Sequence, residues 1–239
     1  MASSTSSDLK LELITTGEKS GTWGTITNTN LQILEQAASG YIAVDVASSD
    51  VALALSNHAV SNGKNLYFKF TGTLAANRTV TMPDSAERVF IVEDATTRST
   101  SNYTLTNKTV SGTGIALPVG SKCLVYSDGT NINLGIRQKG YYTPTTAYTA
   151  VDGDQLLIDT SGSGIGSAIT ITLPASPSVG SEVHFIDSGN NFASNNLTIA
   201  RNGSNILGAA SNLVVNTSAS AFTLVFVNAT RGWAYKTKI

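Results

Sequence analysis

Residues 79–94 read TVTMPDSAERVFIVED, and residues 170–187 read TITLPASPSVGSEVHFID. Each stretch holds a strand-like run that ends in Met-Pro or Leu-Pro, then a polar turn, then a second apolar run that closes on an aspartate. Pro83 and Pro174 suit the end of a strand, where the missing N–H removes no ladder hydrogen bond. The pair therefore predicts the same two-strand unit at two places in the chain.

Two further pairs of segments match in the same order. YTLTN at 103–107 matches LTIARN at 197–202, and CLVYSDG at 123–129 matches TLVFVNATRG at 223–232. The spacing between equivalents runs from about 91 to about 100 residues, whereas solenoid repeats are typically about 20–50 residues long. The repeat is therefore interpreted as a whole small domain.

From residue 41 onward, short apolar runs alternate with Gly, Asn, Asp and Ser turns, a pattern typical of antiparallel β-sandwiches. We therefore predict an all-β protein with two related antiparallel β-sandwich-like domains, preceded by an N-terminal arm and one short helix at 25–38. The predicted divisions are an arm and docking helix at 1–40, a first β-domain at 41–137, a linker at 138–146, and a second β-domain at 147–239.

The N-terminal segment differs in character from the rest. Leu9, Leu11 and Leu13 alternate with charged residues, which indicates a half-buried strand or an extended arm. Trp23 lies in a Gly-punctuated loop just before the predicted helix, which carries Leu31 and Leu34. These six side chains are the candidate docking residues.

Composition excludes several classes of function. The 239-residue chain has a net charge of −1 and a pI of about 6.1, so it lacks the basic surface of a nucleic-acid-binding protein. The N-terminus has no signal-peptide pattern, and no apolar run approaches the roughly 18 residues of a membrane span. The sequence therefore predicts neither secretion nor membrane insertion. Cys123 is the single cysteine, which excludes an intrachain disulfide.

Catalytic and metal-binding patterns are also missing from the sequence. His58 and His184 lie in different repeats, and neither has a second His or Cys at ligand spacing. Asp152 and Asp154 in VDGDQ resemble a fragment of a calcium loop without its distal Glu, so a turn is the simpler interpretation. We predict no enzymatic activity, no cofactor and no metal.

Three aromatic residues are candidates for contact with a glycan or a partner. Tyr141 and Tyr142 lie in the predicted linker, and Trp233 lies in the last hairpin. Aromatic side chains in the loops of a β-fold stack on sugars or on partner proteins. The alternative for Trp233 is that it belongs to the last strand and fills the second core.

The run LKLELITTGEKSGTWGTITNTNLQILEQAASGY, at residues 9–41, resembles the opening of virion structural proteins from marine tailed phages, especially cyanophages. The segment TVTMP…RVFIVEDAT…TGIALPVGSKCLVYSDGTNI is similar to the β-domain that follows in that family, and NNFASNNLTIARNGSNI with a closing GW resembles a module of phage fibre proteins. The resemblance covers nearly the whole chain and supplies no catalytic residues.

This resemblance implies a structural role in a virion, with synthesis in the host cytoplasm. The expected function is a short fibre that works as a homotrimer and docks on other virion proteins through its N-terminal segment. A capsid decoration or neck appendage protein is an alternative in the same class. In a different class, the alternative is a carbohydrate-binding module that adheres to a host surface glycan.

Overall fold

The computed structural model describes residues 2–99, 103–138 and 140–238. This part of the chain is mostly β, with one α-helix, α1 (Trp23–Ser39), and one 3-10 turn (Asn62–Lys64). The strands of the first part of the chain are β1 (Ser4–Thr5), β2 (Glu12–Leu13), β3 (Tyr41–Asp45), β4 (Val51–Ala52), β5 (Tyr67–Thr71), β6 (Thr73–Leu74), β7 (Arg78–Met82), β8 (Glu87–Asp94), β9 (Thr97–Arg98), β10 (Leu105–Thr109), β11 (Gly114–Leu117), β12 (Lys122–Asp128) and β13 (Ile132–Gln138).

The strands of the second part are β14 (Tyr141–Tyr142), β15 (Tyr148–Thr149), β16 (Gln155–Ile158), β17 (Ile169–Thr172), β18 (Glu182–Asp187), β19 (Leu197–Ala200), β20 (Leu213–Val215), β21 (Ala221–Asn228) and β22 (Gly232–Lys238).

The chain divides into two compact units. Unit 1 takes its described residues from Met1–Thr97, Thr104–Leu117 and Lys122–Gln138. Unit 2 takes its described residues from Arg98–Tyr103, Pro118–Ser121 and Lys139–Ile239. The predicted linker at 138–146 includes Lys139, which lies outside the described residues. The division at 41–137 and 147–239 stays a prediction.

Parallel ladders organise each unit. In unit 1, β3, β5 and β8 pair in parallel, with Tyr41 opposite Tyr67 and Tyr67 opposite Ile91. A second parallel ladder joins β4, β7 and β10, with Val80 opposite both Val51 and Asn107. The chain passes from one ladder to the other and then returns to pair with the strand of the preceding turn. Successive strands therefore coil.

Unit 2 repeats this arrangement. Strands β14, β16 and β18 form one parallel ladder, and β15, β17 and β19 form the other. The chain is thus a β-solenoid of about 6 turns, and the predicted antiparallel β-sandwiches are wrong. The error has a physical cause: alternation of apolar and polar residues shows that one face of a strand is buried, but it does not show the direction of the neighbouring strand.

Each unit ends in antiparallel strands. In unit 1, β12 pairs antiparallel with β8 and then with β13, while β11 pairs antiparallel with β10. In unit 2, β21 and β22 follow β18, and β20 follows β19, with the same directions. The segments at 79–94 and 170–187 cover β7–β8 and β17–β18, which hold equivalent places in the two ladders.

The interior of each coil is mostly apolar. In unit 1, alternate residues of β8 point inward, and Phe90 and Val92 are fully buried. Phe68, on the neighbouring strand, packs edge-to-face on Phe90 at a centroid distance of 5.5 Å. The core of unit 2 includes Phe185, stacked on Phe222 at 5.0 Å. Large aromatic side chains thus fill both coils, a packing that contributes about 0.5–1.5 kcal/mol per ring pair beyond burial.

Helix α1 is the predicted helix, extended to Trp23 at its start and to Ser39 at its end. It ends at Gly40, whose N–H donates to the Gln36 carbonyl at 2.8 Å. A Cβ at position 40 would lie 2.3 Å from that carbonyl oxygen and 2.6 Å from Asn65 Oδ1. A larger residue does not fit there, so glycine fixes the turn from the helix into β3.

Candidate interaction surface

The N-terminal residues form a hairpin rather than the predicted half-buried strand or extended arm. Strands β1 and β2 pair antiparallel, with Thr5 opposite Glu12. Lys10 has a φ of 57°, in the left-handed region, which turns the chain between Leu9 and Leu11. These two leucines are half-buried, whereas Leu13 is exposed, so the three do not share one face of an extended strand. A single residue in this conformation leaves no trace in an alternating pattern.

Two polar anchors hold this hairpin on unit 1. The Asn30 side chain on α1 accepts from the Glu12 N–H at 3.0 Å and donates to the Glu12 carbonyl at 2.8 Å. His58 hydrogen-bonds through Nε2 to the Thr5 hydroxyl at 2.7 Å, and its backbone N–H donates to the Lys10 carbonyl at 2.8 Å. The hairpin, α1 and the loop around His58 are therefore tied together.

Two buried cations hold the segment 56–65, which includes the loop around His58, in place. The Lys64 ammonium donates to the carbonyls of Ser56 at 2.7 Å and Ala59 at 2.6 Å. Arg88 donates to the carbonyls of Gly63, Lys64 and Asn65, and its guanidinium lies 5.5 Å from the centre of the Phe90 ring. Both side chains donate to backbone carbonyls, so their hydrogen bonds stabilise one particular conformation of the backbone.

Burial disfavours the charged form of both groups. Desolvation, followed by the charge of Arg88, lowers the pKa of Lys64 to about 8. Desolvation also lowers the pKa of Arg88 to about 10. Sequence reasoning missed both residues, because lysine and arginine are seldom fully buried and nothing in their local pattern distinguishes them.

Three large apolar side chains lie on one side of α1 and are exposed. Trp23 is 64% exposed, and Leu31 and Leu34 are also exposed. At about 100° per residue, these three side chains fall within about 80° around the helix axis. Ile33, on another side of the helix, is fully buried against unit 1. The structure thus brings together three of the six candidate docking residues, and we call Trp23, Leu31 and Leu34 the helix face.

The three aromatic candidates in unit 2 do not form one surface. Tyr141 is 59% exposed, while Tyr142 is half-buried and packs on Tyr148 with a centroid distance of 4.9 Å. Trp233 is fully buried and packs edge-to-face on Phe226 at 5.7 Å. Trp233 is thus a core residue of the last strand and offers no ring face to a glycan. Tyr141 remains alone as an exposed aromatic of this set.

Unit 2 also has an open cavity of about 500 Å³ between β20 and β22. Leu213, Val215, Phe222 and Tyr235 supply its apolar wall. Burial raises the pKa of Tyr235, whose ring packs edge-to-face on Phe222 at 5.6 Å. No charged side chain lines the cavity, so it offers no charged group to a ligand.

The acidic residues at the strand ends serve the turns. Asp187 accepts from the backbone N–H groups of Asn191, Phe192 and Ala219 at 3.1–3.2 Å. The buried Asp154 accepts from the Tyr148 hydroxyl and from the Val151 N–H, both at 2.9 Å. These carboxylates are hydrogen-bonded within the fold. Among residues 2–99, 103–138 and 140–238, no three His, Cys, Asp or Glu side chains group as metal ligands.

Comparisons with known proteins add little. The chain matches no protein-family model and no curated protein. A solved structure titled "Structure of a chaperone-substrate complex" contains a similar chain, at 12% identity and a TM-score of 0.36. The match covers 82% of this chain and 32% of that chain, so this protein spans about a third of its length. At this TM-score the likeness says nothing about function. Within the described residues, no helix combines the length and the hydrophobicity of a membrane span.

Proposed function

We propose that this chain is a non-enzymatic structural component of a tailed-phage virion, a short fibre that attaches to another virion protein through the helix face. Three copies form the working unit, as the resemblance implies. The observation that carries the proposal is the exposure of Trp23, Leu31 and Leu34 together on one side of α1.

Three properties of this segment support attachment. The helix face is apolar, and burying a tryptophan at an interface removes about 150–250 Å² of surface from water. The helix is held firmly, because Asn30 fixes the hairpin to it and Ile33 packs into unit 1. The stretch at 9–41 that resembles phage virion proteins also contains this helix. A rigid apolar face loses little conformational entropy on binding.

The partner is expected to be another virion protein with an apolar groove. An amphipathic helix binds such a groove through side chains at helical spacing, and Leu31 and Leu34 have the i, i+3 spacing that this mode uses. Capsid decoration and neck attachment use the same surface, so the proposal holds for each of these positions in a particle.

The test is the incorporation of Trp23→Ala into particles. Trp23 is exposed and begins α1, and alanine favours helix, so we expect the free energy of unfolding to change by less than about 0.5 kcal/mol. Truncation of an interface anchor typically costs about 2 kcal/mol, so incorporation should fall by roughly 30-fold.

Val179→Ala is the control, because Val179 is an exposed apolar residue of unit 2 that belongs to none of the candidate contacts. Purified particles are quantified by mass spectrometry, and thermal unfolding is measured on each isolated chain. The proposal fails if the wild-type chain is absent from particles or if Trp23→Ala and Val179→Ala are incorporated equally.

A further inference from the structure

The outward side of the sheet β13-β12-β8-β5-β3 in unit 1 is apolar. Its inward residues fill the coil, and its outward residues at the centre are hydrophobic as well. We call this surface the apolar sheet face, and it consists of Tyr67, Val89, Ile91, Leu124, Tyr126 and Ile136.

The register makes this face continuous. Ile91 lies opposite Tyr67 on one neighbouring strand and opposite Leu124 on the other. Leu124 in turn lies opposite Ile136, and Val89 lies opposite Tyr126. Directly opposed side chains on neighbouring strands are in contact distance, about 4.5–5.5 Å between Cβ atoms. The six residues therefore form one patch rather than scattered exposed positions.

The patch is at the upper end of the size range of apolar patches on single chains. Val89 is 50% exposed and Ile136 is 69% exposed, and Tyr41 extends the patch by packing on Tyr67 at 5.7 Å. The exposed areas of Tyr41 and the six residues of the face add up to roughly 600 Å². The largest apolar patch on a typical monomer is about 300–600 Å².

Unit 2 shows that the fold does not require this apolar face. The same ladder positions there carry Gln155 opposite His184, and His184 opposite Thr223, in place of Tyr67, Ile91 and Leu124. Those side chains are polar, and His184 Nδ1 hydrogen-bonds to the Thr223 hydroxyl at 2.7 Å.

The position of Val89 opposite Tyr126 is equivalent to that of Glu182 opposite Val225. Glu182 pairs with Lys236 at 2.5 Å across the outer side of its sheet. At these positions the outer face is polar in unit 2 and apolar in unit 1.

The next row is reversed: unit 1 carries Lys69 opposite Glu93 opposite Lys122, where unit 2 carries Leu157 opposite Ile186 opposite Ala221. The apolar residues of unit 1 are therefore a property of this unit and not a requirement of the coil.

The shape and the rim of the apolar sheet face suit another copy of the chain. A shallow depression of about 380 Å³ lies between Tyr67, Leu124 and Ile136 and is mostly apolar. Charged residues of both signs lie at the ends of the strands, with Glu87 at one end and Lys122 opposite Glu93 at the other. A second copy of the chain carries the same mixture of charges and the same net charge of −1, so there is no strong electrostatic repulsion between the two surfaces.

We infer that the apolar sheet face of unit 1 is the surface through which copies of this chain associate with one another. A contact that covers the whole face on two copies buries roughly 1,200 Å², the lower limit of specific, stable protein interfaces. In a trimer, each face divides its contact between its two neighbours around the threefold axis. The inference rests on the self-association in the proposed function and names its surface, which is distinct from the helix face that attaches to the virion.

The test compares two identical substitutions in the full chain. Val89→Lys places a charge in the middle of the face, whereas Val110→Lys places one on an equally exposed valine (56%) that follows β10 in the same unit. Sedimentation velocity over a concentration series gives the mass of the complex and its dissociation constant. We expect a trimer for wild type, association weakened roughly 30-fold or more by Val89→Lys, and no change with Val110→Lys.

Circular dichroism shows whether each variant folds. If Val89→Lys does not fold, Ile136→Lys on the edge strand β13 and the β-branched Val89→Thr take its place, and both should weaken association. A wild-type dimer that Val89→Lys dissociates supports the surface and corrects the copy number.

Two results overturn the inference. Equal association of Val89→Lys and Val110→Lys places the contact elsewhere and leaves the proposed trimer intact. A monomeric wild-type chain whose incorporation into particles is lost with Val89→Lys shows that a different virion protein covers the face, and leaves the virion role intact. A wild-type trimer that is absent from particles supports the inference and refutes the proposed function.

Discussion

Replacing Arg88 with methionine should destabilise unit 1 although the substitution removes a buried charge. Methionine keeps an aliphatic chain against Phe90 but leaves the carbonyls of Gly63, Lys64 and Asn65 without their donor. Hydrogen bonds to charged groups contribute about 1.5–3 kcal/mol each, so three contribute roughly 5–9 kcal/mol.

Desolvation of the Arg88 charge offsets part of that contribution. Its pKa falls from 12.5 to about 10 on burial. That fall corresponds to a cost of about 3 kcal/mol. The net contribution of Arg88 is therefore roughly 2–6 kcal/mol, and we expect Arg88→Met to reduce the free energy of unfolding by about 3 kcal/mol. The loop around His58, which carries the N-terminal hairpin, should loosen first.

Urea unfolding followed by hydrogen exchange measures both effects. The Gly63 N–H donates to the Ala54 carbonyl at 3.0 Å, so its exchange rate reports on the loop. The control is Arg201→Met, because Arg201 donates to the Gly203 carbonyl at 2.9 Å on an exposed part of unit 2 and should cost less than about 0.5 kcal/mol. A loss below about 1 kcal/mol for Arg88→Met, with unchanged exchange at Gly63, would refute the reasoning.

Two further expectations concern buried polar groups. The folded pKa of Lys64, about 8, lies below its ordinary value of 10.5, so the unfolded chain binds more protons between these values. The stability of the wild type relative to Lys64→Met should therefore rise with pH across that window. Thermal unfolding of both chains at about pH 7 and about pH 10 measures this. A stability difference between the two chains that is the same at both pH values would contradict the expectation. Asp187→Ala orphans the N–H groups of Asn191, Phe192 and Ala219. It should cost about 2–4 kcal/mol in urea unfolding, and a cost below about 1 kcal/mol would show that water replaces the carboxylate.

The positions of many strands could be predicted from the sequence, because burial of alternate residues leaves a direct mark on it. The coil could not be predicted. Register partners Tyr41, Tyr67 and Ile91 lie 26 and 24 residues apart, whereas Tyr141, Gln155 and His184 lie 14 and 29 apart. Because the number of residues in one turn of the solenoid varies this much, the sequence shows no fixed short period. Only the longer repeat of the whole unit can be detected in the sequence.

The interaction residues divide in the same way. Leu31 and Leu34 could be proposed as candidates because apolar side chains at helical spacing stand out in a polar segment. Trp23 could be proposed because it is a large aromatic residue in a Gly-rich segment, but its place on α1 could not be predicted. Lys64 and Arg88 could not, because their acceptors are backbone carbonyls brought together by the coil. The apolar sheet face also escaped notice, since outward and inward apolar residues look alike until the strand neighbours are known.

The antiparallel strands that close each unit have a consequence for how such a protein changes length. A parallel ladder can accept one more turn, because its last strand offers the same pattern of donors and acceptors as the one before. Strands β12 and β21 reverse direction, so each unit ends where a further parallel turn has no template. Lengthening this chain within the same design therefore requires a complete further unit with its own closing strands, about 90–100 residues, rather than one more turn.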